Sequence, residues 1–143
     1  MPHLVILYTG QLDHEVNMTT LCRQLADAML SVKDEADQQV FPTGGTRVLA
    51  YPAAHHAVAD GGAAGRAAGG NGDYAFVYLN LRMGRGRSEA TQQRVGESLL
   101  AVAKTFFAPV MAQRHIGITL QIDVGPEVFD AKHSNLHPLF NKA

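Results

Sequence analysis

The sequence predicts an α+β or α/β fold in which two consecutive β-α-β units form one four-stranded mixed sheet, with two helices on one face. The main indication is that the order strand, helix, strand occurs twice, over residues of about 2–52 and 73–123. Each predicted helix, about 17–34 and 88–112, is long enough to cross over between two parallel strands. The length of 143 residues fits a single domain, 1–143.

The first unit begins with a five-residue apolar segment close behind Pro2, Leu4-Val5-Ile6-Leu7-Tyr8, whose branched side chains predict a buried strand starting at the second residue. Asn17 can cap the first helix, which is free of Gly and Pro. Apolar residues recur in it at helical spacing: Met18, Leu21, Cys22, Leu25, Met29 and Val32. The run Phe41-Pro42-Thr43-Gly44-Gly45 interrupts regular structure, and Thr46–Tyr51 predicts the second strand.

The second unit follows a stretch rich in Ala, Gly and His at about 53–72, which predicts an exposed, flexible loop. Tyr74–Leu81 predicts a strand, and Ser88 is a good N-cap for the helix of 88–112. His115–Asp123 alternates apolar and polar residues as a fourth strand. The tail, 124–143, is rich in turn residues, and its apolar side chains need a surface to cover, on this chain or on a neighbouring subunit.

Composition argues against several classes of function. A formal net charge of −1 gives no basic footprint for nucleic acid or an anionic membrane. We find no apolar run of transmembrane length and no signal sequence, so we expect a cytoplasmic protein. The single cysteine, Cys22, cannot form an internal disulfide, and the pair His55-His56 is a weak indication of metal. We therefore expect no metal site and no cofactor.

Pro2 is the first candidate site residue, because removal of Met1 would make it the amino terminus. Proline inside a chain has no N–H and no ionisable nitrogen, whereas a terminal proline is a secondary amine that can take up and release a proton. A strand that starts immediately would bury this amine, which disfavours the ammonium form and lowers the pKa. Such an amine could act as a general base near neutral pH. The simpler interpretation is that proline only suits the start of a strand.

Two arginines are the other candidates. Gly84-Arg85-Gly86-Arg87-Ser88 joins a strand to a helix, where backbone N–H groups, the positive end of the helix dipole and guanidinium donors suit a carboxylate or phosphate. The glycine spacing matches neither a Walker loop nor a dinucleotide fingerprint, and a solvated turn is the alternative. Arg47 begins the second strand, so Pro2, Arg47 and Arg87 all lie at strand ends, where ligand sites of α/β sheets tend to form.

Several stretches together resemble the 5-carboxymethyl-2-hydroxymuconate isomerase family, within the tautomerase superfamily. They are Met1-Pro2-His3 with its strand, Phe41-Pro42 through Arg47, Ala59-Asp60-Gly61, Asp73 through Val77, Gly84 through Ser88, and Asn135 through Phe140. The resemblance covers almost the whole chain. It departs from the family at Leu7, where an acidic residue is common, and in the length of the Ala/Gly loop.

This resemblance implies a cofactor-independent tautomerase of homoprotocatechuate catabolism that moves a proton within an unsaturated 2-hydroxy or 2-oxo dicarboxylate. Pro2 would be the acid and base, while Arg47 and Arg87 would bind the carboxylates. The resemblance also implies a homotrimer. Two alternatives remain open, a binding protein for small carboxylates on the same scaffold and an oligomerisation module without a pocket. Whether Arg85 shares the work of Arg87 is likewise open.

Overall fold

The computed structural model describes residues 2–140, whose strands form one sheet in the order β2-β1-β3-β4. The strands are β1 His3–Thr9, β2 Arg47–Ala53, β3 Ala75–Met83 and β4 Ile116–Val124, and the helices are α1 Met18–Ser31, α2 Ala63–Ala67 and α3 Glu89–Met111. β1 pairs in parallel with β2, β3 pairs in parallel with β4, and β1 and β3 pair antiparallel. The predicted four-stranded mixed sheet of two β-α-β units is confirmed.

The core lies between the sheet and two helices, α1 and α3, which pack on each other and on one face of the sheet. Alternate residues of β1 and β3 point into this core, as the period of two in a strand requires. The fully buried aliphatic side chains include Leu4, Ile6, Leu21, Leu25, Leu79, Leu81 and Leu99. The opposite face leaves Leu7, Leu49 and Tyr51 about half exposed, at 47%, 45% and 50%.

Both predicted helix caps form. The side chain of Asn17 accepts a hydrogen bond of 3.1 Å from the N–H of Thr20, and Ser88 Oγ accepts one of 3.1 Å from the N–H of Thr91. Each cap satisfies a backbone donor that has no partner within the helix. The starts of α1 and α3 therefore agree with the sequence to within one residue.

The end of α1 differs from the prediction, because the helix stops at Ser31 and not near residue 34. Val32 is extended, and its carbonyl oxygen accepts a hydrogen bond of 3.1 Å from the N–H of Val40. Lys33 and Gln39 form an antiparallel bridge beside this bond. Residues 32–40 thus form a short arm after α1 that returns the chain towards Phe41.

The Ala/Gly stretch predicted as a loop contains the short helix α2, which the sequence did not predict. The carboxylate of Asp60 accepts 2.9 Å hydrogen bonds from the N–H groups of Gly62 and Ala64. The hydroxyl of Tyr74 accepts one of 2.8 Å from the N–H of Gly65. Hydrogen bonds from polar side chains, and not burial of apolar residues, hold this segment. The apolar spacing that predicts a helix is therefore missing from its sequence. Its predicted flexibility stays a prediction.

Candidate active site

The predicted site residues converge at one end of the sheet. The register pairs His3 of β1 with Arg47 of β2 and with Arg82 of β3. The N-terminal ends of β1 and β2 therefore lie beside the C-terminal end of β3. Pro2 directly precedes β1, and the loop that carries Arg87 directly follows β3, so both are brought to this end.

Pro2 is buried and packs against the turn Thr43–Gly45. A β-carbon placed on Gly45 would lie 3.6 Å from Cδ of Pro2 and 3.3 Å from Cγ of Pro42, so the backbone approaches both rings closely. This packing holds Pro2 in one position at the strand start. Removal of Met1, on which a free Pro2 amine depends, concerns a residue outside the described range 2–140.

Arg47 lies half-buried beside the same turn, where its Nη1 donates a hydrogen bond of 3.1 Å to the carbonyl oxygen of Gly45. It lines a cavity of about 530 Å³. The other lining residues come from the C-terminal segment: His133, Ser134, Asn135 and Leu136. A guanidinium at the wall of such a cavity suits a carboxylate, which it can bind with two parallel hydrogen bonds.

Arg87 is held by the chain itself. Its Nη2 donates a hydrogen bond of 2.7 Å to the carbonyl oxygen of Val40, and its Nη1 donates a longer one of 3.4 Å to that of Gly84. The guanidinium carbon lies 5.8 Å from the ring centre of Phe41, which is fully buried. A guanidinium has five N–H donors, so these two bonds fix its orientation and leave donors for a ligand.

Arg85 contacts a different part of the chain. Its Nε donates a hydrogen bond of 3.1 Å to the carbonyl oxygen of Gly125, just beyond β4. Gly86 between the two arginines has a φ of 107°, a left-handed conformation that favours glycine. The loop Gly84–Ser88 thus separates its arginines, with Arg85 joined to the end of β4 and Arg87 joined to the arm after α1.

Glu35 connects that arm to the start of α3. Its carboxylate accepts hydrogen bonds from the hydroxyl of Ser88 and, at 3.0 Å, from that of Thr91. These hydrogen bonds, chiefly the one from Ser88, lower the pKa of Glu35 below its usual value. The arm that supports Arg87 is therefore fixed to the N-terminus of α3, where a negative charge is favourable.

The lowered pKa predicts that Glu35 stabilises the fold less in acid. A carboxyl group with a lowered folded-state pKa contributes stability above its unfolded pKa, about 4.3 for glutamate, and loses it as the pH falls through the folded value. We expect Glu35→Gln to lower the urea midpoint at pH 7 and to differ progressively less from the unchanged protein below about pH 4.3. Urea unfolding across pH 3–7 measures this.

The control is Glu97→Gln on the exposed side of α3, where the carboxylate accepts one hydrogen bond of 3.0 Å from Gln93. We expect that change to give a smaller difference at pH 7. An equal effect of Glu35→Gln at pH 3 and pH 7 would contradict the assigned role.

One residue beside the turn Thr43–Gly45 was not selected as a candidate by sequence reasoning. His137 lies on the turn His137–Leu139, and a β-carbon placed on Gly44 would come within 2.9 Å of its Nδ1. No pattern in the sequence links two residues so far apart in the chain. Two signals were available: the glycine pair at 44 and 45, which can mark a close approach of another group, and the family resemblance of Asn135 through Phe140.

The arrangement combines a buried proline with several arginines at one end of the sheet, a combination suited to proton transfer on an anionic molecule. Within residues 2–140, no helix is long and apolar enough to cross a membrane. In the same part of the chain, no three His, Cys, Asp or Glu side chains come together in a group that could hold a metal ion.

Comparison with known proteins identifies the family. The sequence model of the 5-carboxymethyl-2-hydroxymuconate isomerase family matches residues 2–140. The chain belongs to this family. It is 27% identical over 140 residues to 5-carboxymethyl-2-hydroxymuconate Delta-isomerase of Escherichia coli, covering 98% of this chain and 99% of the relative.

Two solved structures agree with the family. A crystal structure of 5-carboxymethyl-2-hydroxymuconate delta-isomerase matches with 64% identity and a TM-score of 0.97, over 100% of this chain and 95% of the other. A 5-carboxymethyl-2-hydroxymuconate isomerase from Deinococcus radiodurans R1 matches with 32% identity and a TM-score of 0.80, over 99% and 95% of the two chains.

The predicted family and the predicted class of enzyme, an isomerase, are thereby confirmed. The roles of Pro2, Arg47 and Arg87 stay predictions, as do the cytoplasmic location and the division of the chain into a single domain with two pseudo-repeats.

Proposed function

We propose that this member of the family catalyses a 1,5-proton transfer on an unsaturated 2-hydroxy acid with two or more carboxylates, as a step of homoprotocatechuate catabolism. The substrate in the names of its relatives, 5-carboxymethyl-2-hydroxymuconate, is a dienol that carries three carboxylates. The observation that carries the proposal is the register, which places Pro2 and Arg47 at the adjacent starts of two paired strands. Proton transfer and carboxylate binding can then act on one molecule.

Pro2, once terminal, acts as both base and acid. Its neutral amine takes the proton of the 2-hydroxyl group, the oxygen becomes a carbonyl, and the double bond between C2 and C3 moves to C3 and C4. The electron pair of the bond between C4 and C5 then takes a proton at C5 from the prolinium. One proton leaves oxygen and one arrives at carbon, so the reaction is balanced and the amine is regenerated. The buried position of Pro2 favours the neutral amine, which suits work near neutral pH.

Arg47 and Arg87 bind the carboxylates of the substrate. A guanidinium remains charged at every relevant pH and presents donors in a planar fork that matches a carboxylate. Both side chains are already oriented by backbone carbonyls, Arg47 by Gly45 and Arg87 by Val40. Preorganised donors of this kind stabilise the negative charge that develops on the conjugated acid.

The proposal is tested with protein from which Met1 has been removed, as verified by intact mass. We expect it to convert 5-carboxymethyl-2-hydroxymuconate, measured as loss of dienol absorbance, with deuterium incorporated at C5 in D₂O by NMR. A matched sample that retains Met1 has a tertiary amide at Pro2 and should be inactive. Binding without turnover by the processed protein would overturn the isomerase proposal in favour of a carboxylate-binding protein.

We also infer that the protein is a homotrimer. Leu7, Leu49 and Tyr51 on the open face of the sheet are about half exposed, and Phe129 and Leu139 in the tail are exposed by 85% and 72%. Exposed apolar side chains grouped on paired strands, as Leu7 and Tyr51 are, are typical of contacts between subunits. Covering it with two further copies of the chain would remove it from water, as the predicted role of the tail requires.

The variant Leu49→Glu is expected to shift the trimer towards monomers. A carboxylate buried in an apolar interface carries a large desolvation penalty, whereas Leu49 of the free chain is already 45% exposed and should tolerate the change. Analytical ultracentrifugation measures the mass distribution at several protein concentrations. Ala101→Glu on the exposed side of α3 is the control, expected to stay trimeric. An unchanged mass for Leu49→Glu would exclude this face from the interface.

A further inference from the structure

His137 lies so close to the turn Thr43–Gly45 that this turn accepts only glycine there. A β-carbon on Gly44 would lie 2.9 Å from Nδ1 and 3.1 Å from Cα of His137, and the second of these contacts is with backbone, which cannot easily move. Gly44 does not have a positive φ, so its backbone conformation does not require glycine. The space taken by His137 is what excludes a side chain at this position.

The other imidazole nitrogen of His137 is buried without a partner. Its Nε2 is inaccessible to solvent and makes no hydrogen bond to any of residues 2–140. Buried polar atoms are nearly always paired, because losing water without gaining a partner costs free energy. Nε2 therefore keeps its hydrogen-bonding capacity for a group from outside residues 2–140.

The imidazole ring of His137 lies near Pro2, with the carbon between its two nitrogens on the side of Gly45. A β-carbon placed on Gly45 would be 3.6 Å from Cε1 of His137, the carbon bonded to Nε2, and also 3.6 Å from Cδ of Pro2. The two atoms are therefore no more than twice that distance apart. One small molecule bound at Pro2 can span this separation.

The residues just before His137 extend the same site. Asn135 and Leu136 line the cavity that Arg47 also lines. His137 thus directly follows two residues of the Arg47 cavity in the chain, and its ring lies near Pro2.

The geometry points to His137 as a further substrate-binding residue, whose Nε2–H donates a hydrogen bond to a carboxylate oxygen of the substrate. This inference rests on the proposed function, because it assumes an anionic substrate at Pro2. The substrate named for the relatives has three carboxylates, while Arg47 and Arg87 account for two. A neutral imidazole with its proton on Nε2 supplies one more donor without adding another charge to the site.

The first test compares two substitutions in protein that lacks Met1. His137→Leu removes the donor and keeps an apolar side chain, and we expect about a tenfold higher KM for 5-carboxymethyl-2-hydroxymuconate, with kcat changed less. His137→Gln restores an N–H donor and should recover most of that loss. His55→Leu, at an exposed histidine of the Ala/Gly stretch, is the control and should have no effect.

The second test needs no turnover, so it separates failure of this inference from failure of the proposed function. Protein that carries ¹⁵N-labelled histidine is titrated with glutarate, a saturated dicarboxylate, and the Nε2 resonance of His137 is followed by NMR. A saturable shift of that resonance, absent in His137→Gln, is the expected result. No shift on saturation of the site with glutarate, or equal KM values for the unchanged protein and His137→Leu, would overturn the assignment.

Discussion

The variant Pro2→Ala, with Met1 removed, is expected to lose isomerase activity by about a hundredfold or more. General acid and base catalysis by a positioned group contributes on the order of 10²–10⁴ in rate. Alanine keeps an amine at the terminus but loses the ring that packs against the turn at Gly45, so the nitrogen is both less basic as a primary amine and less well held. Steady-state kinetics with 5-carboxymethyl-2-hydroxymuconate measures the loss, which should fall mainly on kcat.

Pro42→Ala is the matched control for this variant. Pro42 packs against the same turn, with its Cγ 3.3 Å from a β-carbon placed on Gly45, but its nitrogen lies within the chain. We expect it to keep activity within a few-fold. Full activity in Pro2→Ala, with processing verified by mass, would remove Pro2 from the reaction, and equal losses in both variants would assign Pro2 a structural role.

The variant Arg87→Ala is expected to weaken binding of dicarboxylates by about a hundredfold. Removal of one partner from a buried, hydrogen-bonded charge pair costs roughly 2–5 kcal/mol. Calorimetric titration with glutarate, a saturated dicarboxylate that cannot tautomerise, measures the affinity. Arg87 also holds Val40 and covers Phe41, so we expect a lower urea midpoint in the same variant.

Two further variants, Arg87→Lys and Arg85→Ala, separate the effect on binding from the effect on folding. Arg87→Lys keeps a positive charge but not the planar fork, so it should recover part of the affinity. Arg85→Ala breaks the hydrogen bond to Gly125 and should weaken binding much less than Arg87→Ala. Unchanged affinity in Arg87→Ala, once its folding has been checked, would exclude Arg87 from the site.

The fold could be predicted largely because the local patterns are strong. Asn17 and Ser88 cap the helices, and the alternation of 115–123 gave the fourth strand to within one residue. The end of α1 could not be predicted, because the bond between Val32 and Val40 replaces a helical turn with a return of the chain. Periodicity reports local conformation, whereas this bond depends on residues that approach only after the chain turns.

The pairing between the two halves was also beyond local patterns. A crossover helix predicts that β1 and β2 are parallel, and that β3 and β4 are parallel, but nothing in either unit specifies that β1 lies against β3. That pairing is what sets Arg82 beside His3 and brings the loop of Arg87 to Pro2. The site residues were identifiable by chemistry and resemblance, and their meeting place only by topology.

For the candidate site too, local patterns indicated the residues, while contacts between distant residues could not be predicted. The chemistry of arginine and the position at strand ends indicated Arg47 and Arg87. Nothing in the sequence indicated that the backbone carbonyls of Gly45 and Val40 orient the two side chains. His137 lies in a stretch that resembles the family, but its closeness to Gly44 gave no indication in the sequence. Contacts between residues distant in the chain are the part that composition and spacing do not encode.

The internal position of β1 has a consequence for the order of events during synthesis. Pro2 is buried at the start of a strand that is enclosed between β2 and β3. An aminopeptidase that removes Met1 also has to bind Pro2, and Pro2 is buried in the completed fold. Pro2 is not yet enclosed while the growing chain has not reached Met83, the end of β3. With the catalytic role proposed for Pro2, chains that fold before Met1 is removed would stay inactive, so the active fraction of a preparation would depend on how cleavage and folding compete in time.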